Sequence, residues 1–314
     1  MKSKWLILAL SAIMSLSFIV GCGSDADDAS GETTNENENE DASNEENATN
    51  ETDDATNEEE AGKYEDGIYF AQEDGFSEKS GWKYTATLEV ENGEIVSADW
   101  NGAHKSGGDD KDTVSENGEY GMVEKAGAQS EWHVQAEKAE AYLLDTQDPT
   151  AIEYSTDEGH TDAISGVSIH VVEFFDLANQ ALENGPVGKG PYKDGAYYAE
   201  EDSFSEKSGW KYTASLTVIN GNIVAADWNG VHKDGGDNKD TVSENGEYGM
   251  VENGGAQSEW HVQAEQAEAH LLDIQDPTAI EYSTDEGHTD AISGVSIHVV
   301  EFFDLADQAL ADAK

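Results

Sequence analysis

The segment with the most chemical content is Asp162-Ala163-Ile164-Ser165-Gly166-Val167-Ser168, which recurs as Asp290-Ala291-Ile292-Ser293-Gly294-Val295-Ser296. Each copy sets two hydroxyls around a glycine, with a carboxylate just upstream. A serine oxygen can be esterified to phosphate. Glycine lets the backbone approach an anion closely. The segment stands just before an apolar, helix-patterned stretch, so Ser168 reads as an N-cap. The free N–H groups and positive dipole end of a helix start could hold a phosphate there. Such a site needs no arginine, and the chain has none. A serine that only caps its helix would read the same way, and Ser-Gly-x-Ser is short and common.

Other side chains offer weaker chemistry. His104, His133, His160 and His170 recur as His232, His261, His288 and His298, while His270 is unpaired. His160 and His170 flank the Ser168 segment. No H-x₃-H or HExxH spacing falls within a helix, so no metal site is expected. Gly107-Gly108-Asp109-Asp110-Lys111-Asp112 is as oxygen-rich as a calcium loop but lacks the spacing and terminal Glu of an EF-hand, and a solvated loop is the simpler reading. Tyr120, Met122 and Trp132 could pack on a flat aromatic cofactor or simply fill a small core. No Ser-His-Asp order, paired-carboxylate pocket or P-loop stands out.

These residues sit in a chain that repeats itself. Asp66 to Leu182 matches Asp194 to Leu310 at a constant offset of 128, with 18 differences in 117 positions. Gln147 to Ala178 recurs unchanged. A unit this long is a small domain rather than a solenoid repeat of roughly 20–50 residues. A duplication keeps structural and functional residues alike, so repetition alone assigns no role.

Within the first copy, Gly67 to Phe70 and the alternating Trp82 to Val90 read as strands. Asn92-Gly93 marks a hairpin, with Ile95 to Trp100 returning. Asn101 to Gly121 is polar and glycine-rich and reads as loop. Ser130 to Gln147 reads as a helix with Trp132, Ala136, Ala139, Leu143 and Leu144 near one face, stopped by Asp148-Pro149. Ile152 to Tyr154 is expected to form a short strand, and Ile169 to Leu182 a second helix. Its inward face would be Val172, Phe175, Leu177 or Ala178, and Leu182. The expected fold class is α+β: two near-identical small domains, each an antiparallel sheet with helices.

The N-terminal region sets the context. Lys2 and Lys4 precede an apolar run from Trp5 to Val20, which reads as a secretion signal over residues 1–21. It ends Ile19-Val20-Gly21-Cys22, similar to the lipobox of bacterial lipoproteins. Cys22 is the sole cysteine, so its acylation would leave no thiol for disulfides, iron–sulfur clusters or haem attachment. The cleaved Leu16 to Gly21 stretch could also act as a signalling peptide. Residues 22–65 read as a disordered tether, with 16 acidic residues in 23–62 and too little apolar surface to fold. Its expected r.m.s. span is roughly 35 Å. Domain 1 is then expected at 66–183, a Gly/Pro linker at 184–193 and domain 2 at 194–314.

Net charge is −52, with 68 acidic residues against 16 lysines. Nucleic acid is excluded as a partner, since it requires a basic surface. An acidic surface with few bases suits a host in high salt, where repulsion is screened.

Each copy resembles the FMN-binding domains flavinylated by a dedicated FAD-dependent transferase. The whole chain is most similar to the tandem flavin lipoproteins of Gram-positive extracellular electron transfer. The resemblance runs from Asp66-Gly67-Ile68-Tyr69 through Gly81-Trp82-Lys83, Val90 to Val96 and Gly108-Asp109-Asp110-Lys111. It continues over Leu143 to Asp148 and ends at Asp162 to Ser168. The family's last segment reads Asp-x-x-Ser-Gly-Ala-Thr, and its final hydroxyl carries FMN as a phosphoester. The resemblance therefore implies covalent FMN on Ser168 and Ser296, with Ser165, Gly166, Ser293 and Gly294 around the phosphate. It implies transferase recognition at Asp162 and Asp290. Two departures stand in both copies: Val167 and Val295 replace Ala, and Ser replaces Thr. Serine keeps the oxygen, while valine adds bulk that could hinder the transferase. The implied role is an electron carrier rather than an enzyme, lipid-anchored at Cys22 on the outer face of the cell membrane of a halophilic Gram-positive bacterium. Its implied partners are the transferase, a membrane electron donor and an extracellular acceptor. The competing expectation is a surface lipoprotein module that keeps the fold without flavin.

Overall fold

The computed structural model describes residues 62–314. The signal segment, Cys22 and the acidic stretch to residue 61 lie outside the described residues. Among the described residues no helix is long and apolar enough to cross a membrane.

Each repeat builds one three-stranded antiparallel sheet and lays helices on one face. In repeat 1 the strands are β1 (Gly67–Gln72), β2 (Trp82–Glu91) and β3 (Glu94–His104), ordered β1-β2-β3. Ala86, Leu88 and Val90 alternate inward, while Glu89 and Glu91 point to solvent, as a two-residue period demands. Asn92 and Gly93 both have positive φ, 54° and 76°, which gives the hairpin turn whose twist matches its strands. Val90 pairs with Ile95 but Glu89 pairs with Ser97. Val96 is therefore a bulge on the outer strand.

Helix α3 (Trp132–Thr146) and helix α4 (Val172–Asn184) cover the inner face. Ala136 and Ala139 let α3 come close to β3. The Glu140 carboxylate then accepts from Trp100 N–H at 2.8 Å. The Gln147 amide pairs with both backbone groups of Ile95, at 2.7 and 2.9 Å. One side chain of α3 and its C-cap Gln147 thus satisfy the edge of β3 that no strand covers. Trp100 is fully buried, stacked on Phe174 at 5.4 Å and edge-on to Trp132 at 5.2 Å. Aromatic rings carry most of such a small core.

Three local expectations fail. Asn101 to Gly121 is not all loop. β3 continues to His104, helix α1 spans Lys111–Glu116, and a short helix α2 spans Met122–Ala126. Asp110 caps α1 by accepting from Thr113 N–H at 2.8 Å. Ile152 to Tyr154 forms no strand; it follows a 3₁₀ turn at Pro149–Ala151. The last helix begins at Val172 rather than Ile169. Repeat 2 follows the same plan, with β4 (Gly195–Glu200), β5 (Trp210–Ile219), β6 (Asn222–His232), α5 (Lys239–Glu244), α6 (Met250–Gly254), α7 (Trp260–Ile274) and α8 (Val300–Ala309).

The folded region begins before Asp66. Tyr64 N–H donates to the Gly93 carbonyl and Tyr64 Oη to that of Gln147. Residues 62–65 thus belong to repeat 1. Tyr192, the counterpart of Tyr64, is buried in the core of repeat 2. The linker is not free either. Val187 and Gly188 N–H groups donate to Ile68, and Gly190 N–H donates to Asn220.

The repeats also touch through their outer sheet faces. Ala103 packs with Ile219, Val224 and Ala225, flanked by Phe70 and Phe76. Thr217 Oγ1 donates to the Gly108 carbonyl at 2.7 Å. At Gly107 a Cβ would collide with the backbone of Ser215, so glycine is required there.

Candidate functional site

Ser168 does not cap α4. Val171 occupies that position, with no side-chain cap. The Ser168 backbone N–H and its Oγ instead both donate to one oxygen, Gln135 Oε1, at 2.7 and 3.1 Å. Ser296 repeats this on Gln263 Oε1 at 2.7 and 3.1 Å. The phosphate-on-a-helix-end reading is therefore corrected. The serine is set by a buried amide on α3, not by the dipole of α4.

The geometry explains why this serine faces out. Val167 and Ile169 pack against the core, and Ser168 between them is exposed. Gln135 is buried, and its Nε2 is anchored to the Ser130 carbonyl at 3.1 Å. A buried amide so tied cannot rotate freely, so it fixes the serine's position. Ser165 and Gly166 form an exposed turn, with Gly166 at φ 76°, a conformation suited to glycine. Val167 N–H closes that turn on the Ile164 carbonyl, and Ile164 is buried. Asp162 is exposed at the entry to the segment. Ser293, Gly294 and Asp290 are likewise exposed in repeat 2. Val167 and Val295 pack their side chains against the cores of their repeats.

His160 and His170 meet beside the segment, their rings 4.5 Å apart, and His288 and His298 do the same at 4.6 Å. His170 Nδ1 lies 3.7 Å from Glu173. Among the described residues no group of three His, Cys, Asp or Glu side chains is placed to hold a metal ion. Trp132 is only 2 % exposed and packs against Tyr84 and Trp100. It is a core residue with no free face for a cofactor ring. Tyr120 and Met122 are partly buried at the rim of the same core.

Gln135 carries no sequence signal, because a glutamine on a helix is ordinary. Lys111 was also hidden. It is 1 % exposed, and its Nζ sits 4.1 Å from the Tyr120 ring centre and 4.3 Å from that of Trp82. It donates to Tyr120 Oη at 3.0 Å. Burial lowers its pKa to about 7. Lys239 repeats the arrangement among Trp210, Tyr212, Tyr248 and Trp260, also at about 7. The ring faces attract the cation and offset part of the desolvation.

Gln135→Met keeps the volume and removes the oxygen that holds Ser168. Hydrogen exchange at the Ser168 backbone N–H should quicken severalfold, while Ser296 in the same molecule keeps Gln263 and serves as the internal reference. Peptide mass spectrometry of the two segments gives the ratio. An unchanged ratio would show that the amide does not position the serine.

The sheets, helices and exposed serine segments define a tandem of two similar α+β domains. No family model and no curated protein matches the chain. Two solved structures are similar. One is a solution NMR structure of a protein from Clostridium thermocellum, 63% identical, covering 38% of this chain and 90% of that one, with a TM-score of 0.31. The other is a crystal structure of a protein from Clostridium perfringens, 24% identical, covering 39% and 88%, with a TM-score of 0.31.

Proposed function

We propose that the chain is a membrane-anchored extracellular flavoprotein carrying one FMN on Ser168 and one on Ser296. The observation that supports this best is the exposed serine hydroxyl held on a buried glutamine oxygen, identical in both repeats. An acceptor hydroxyl must be reachable by a modifying enzyme, and this one is presented on a fixed turn. Loading from FAD is a displacement. The serine oxygen bonds to the phosphorus on the FMN side, the bond to AMP breaks, and AMP leaves as the hydroxyl proton is lost. Bound FMN would supply the redox chemistry. The protein would supply anchorage, spacing and electrostatics. A covalent link keeps the cofactor on a protein outside the cell, where a dissociated flavin would be lost. On this reading the chain is a carrier, not an enzyme.

The alternative is a surface lipoprotein module without flavin. The burial of Trp132 favours it, since that removes one candidate ring for stacking. Co-expression with an FAD-dependent FMN transferase and intact mass measurement separates the two readings.

The anchor gives its own test. Cys22→Ser should release the protein into the medium or leave the signal uncleaved. A variant that still fractionates with membranes would refute lipidation at Cys22.

A further inference from the structure

The contact between the repeats is not symmetric. Repeat 1 offers a projecting surface of Phe70, Phe76 and Ala103. Repeat 2 receives it on the hairpin end of its sheet, at Thr217, Ile219, Val224 and Ala225, all buried. If the pairing were two-fold, the matching surface of repeat 2 would rest on the matching end of repeat 1. It does not. Tyr198, Phe204 and Val231 are the counterparts of Phe70, Phe76 and Ala103, and they are 59%, 41% and 42% exposed. Glu89, Glu91, Val96 and Ser97, the counterparts of the receiving residues, are exposed as well. A head-to-tail contact of this kind always leaves one projecting and one receiving surface open.

The sequence differences between the repeats follow this contact. The receiving end carries Thr217, Ile219 and Ala225 in repeat 2 but Glu89, Glu91 and Ser97 in repeat 1. Glu89 and Glu91 thus sit at the exposed end of repeat 1, Glu89 with Ser97 on a cleft that runs to Val218, Ile219 and Asn220 of repeat 2. The open projecting surface of repeat 2 gains one carboxylate, Glu200 in place of Gln72, but that charge is paired with Lys211 at 2.8 Å. The surface gained rather than lost apolar size at Val231, where repeat 1 has Ala103. Lys211 crosses this surface, bonded to Glu200 at 2.8 Å and lying over the Phe204 ring. Lys233 is exposed beside it. Charge follows the same pattern. In the closed contact Lys83 and Lys105, the counterparts of Lys211 and Lys233, line a cleft of about 810 Å³ opposite Asp227, Asp240, Glu265 and Glu268.

We infer that the Tyr198–Phe204–Val231 surface of repeat 2 docks the outer sheet face of another domain of this same kind. That face must be apolar at its hairpin end, as repeat 2 is, and rimmed by carboxylates. A second copy of this chain does not fit, because the open face it offers bears Glu89 and Glu91. The inference is independent of whether flavin is bound.

The chain itself can be turned into the missing partner. Glu89→Thr, Glu91→Ile and Ser97→Ala give repeat 1 the receiving residues that repeat 2 already folds with. Sedimentation velocity is run in high salt, which screens the net charge. Wild type should remain monomeric. The triple variant should form an open-ended series, with the weight-average mass rising about twofold or more with concentration. Adding Phe204→Glu should return it to monomer. Glu91→Ile alone, with Phe204→Glu as its partner, repeats the test with a single change in case the triple variant folds poorly. Receiving variants that stay monomeric, or assembly that survives Phe204→Glu, would overturn the docking surface. Self-association of wild type that Phe204→Glu abolishes would overturn the choice of partner and assign the surface to a second copy.

Discussion

Acidification from about pH 8 to about pH 5.5 at low ionic strength should raise the melting midpoint, on the order of 5–10 °C. The cause is a set of half-buried carboxyls in each repeat. In repeat 1 burial raises Asp99 to about 6, Asp112 to about 7 and Glu140 to about 8; neighbouring carboxylates push each further, Asp110 acting on Asp99, Asp99 on Asp112, and Asp99 with Asp112 on Glu140. In repeat 2 burial raises Asp227 to about 7, Asp240 to about 6 and Glu268 well above the carboxylate range. A carboxyl raised on folding holds its proton in the folded state where the unfolded chain has lost it. Stability then falls as pH rises from about 4 toward the folded values. Lys111 and Lys239 act the other way, since their lowered values add stability as pH rises from about 7 to about 10.5. Between about pH 5.5 and 8 the six carboxyls outweigh them. Partial solvent exposure and mutual coupling reduce the sum to a few kcal/mol. Added salt should narrow the gap, because it screens like charges most where they are most ionised.

Glu140→Gln isolates one group of this set. The glutamine oxygen can still accept from Trp100 N–H, and the charge is gone. The variant should be stabilised by about 1–2 kcal/mol at pH 8 and little changed at pH 5. A thermal midpoint that climbs steadily from acid to alkaline pH in wild type would contradict the whole assignment.

The second large effect is on loading. In protein made with the transferase, Ser168→Ala should remove one flavin and Ser296→Ala the other. Each hydroxyl holds the acceptor position of its segment and is fixed by a glutamine, whereas Ser165 and Ser293 are exposed on the turn without that partner. Loss should be complete at the altered site and absent at the other, because each serine is held by its own glutamine. Val167→Ala should not improve loading, since Val167 packs inward. It should instead cost about 0.5–1.5 kcal/mol of stability through lost burial. Ser168→Thr should load at least as well as wild type, since the oxygen is kept. Loss of both flavins from either single alanine variant would contradict two independent sites.

Much of the fold was legible because its signals are periodic. The alternation from Trp82 to Val90, the Asn92-Gly93 turn and the apolar stripe of α3 each point one way, and each element forms where they point. α1 was not legible. Lys111 to Glu116 has no apolar face, and it is held by the Asp110 cap and by burying Lys111 among aromatic rings from distant elements. Ile169 and Val171 read as helix because they are apolar, and both pack on the core, but the helix begins only after Val171, which caps it at φ −120° and ψ −4°. Ser168 was found by motif, yet its partner Gln135 lies on another element and no local pattern marks it. The projecting and receiving surfaces lay in the 18 differences between the repeats. Their meaning appears only when the sheets are placed face to face.

The most direct test of the central claim is the intact mass of wild-type protein from a host with an active FAD-dependent FMN transferase. The account predicts a mass above the unmodified chain by two FMN units, each less one water, with flavin-bearing peptides that contain Ser168 and Ser296. An unmodified mass, while a Thr-bearing control substrate is loaded in the same cells, would contradict it.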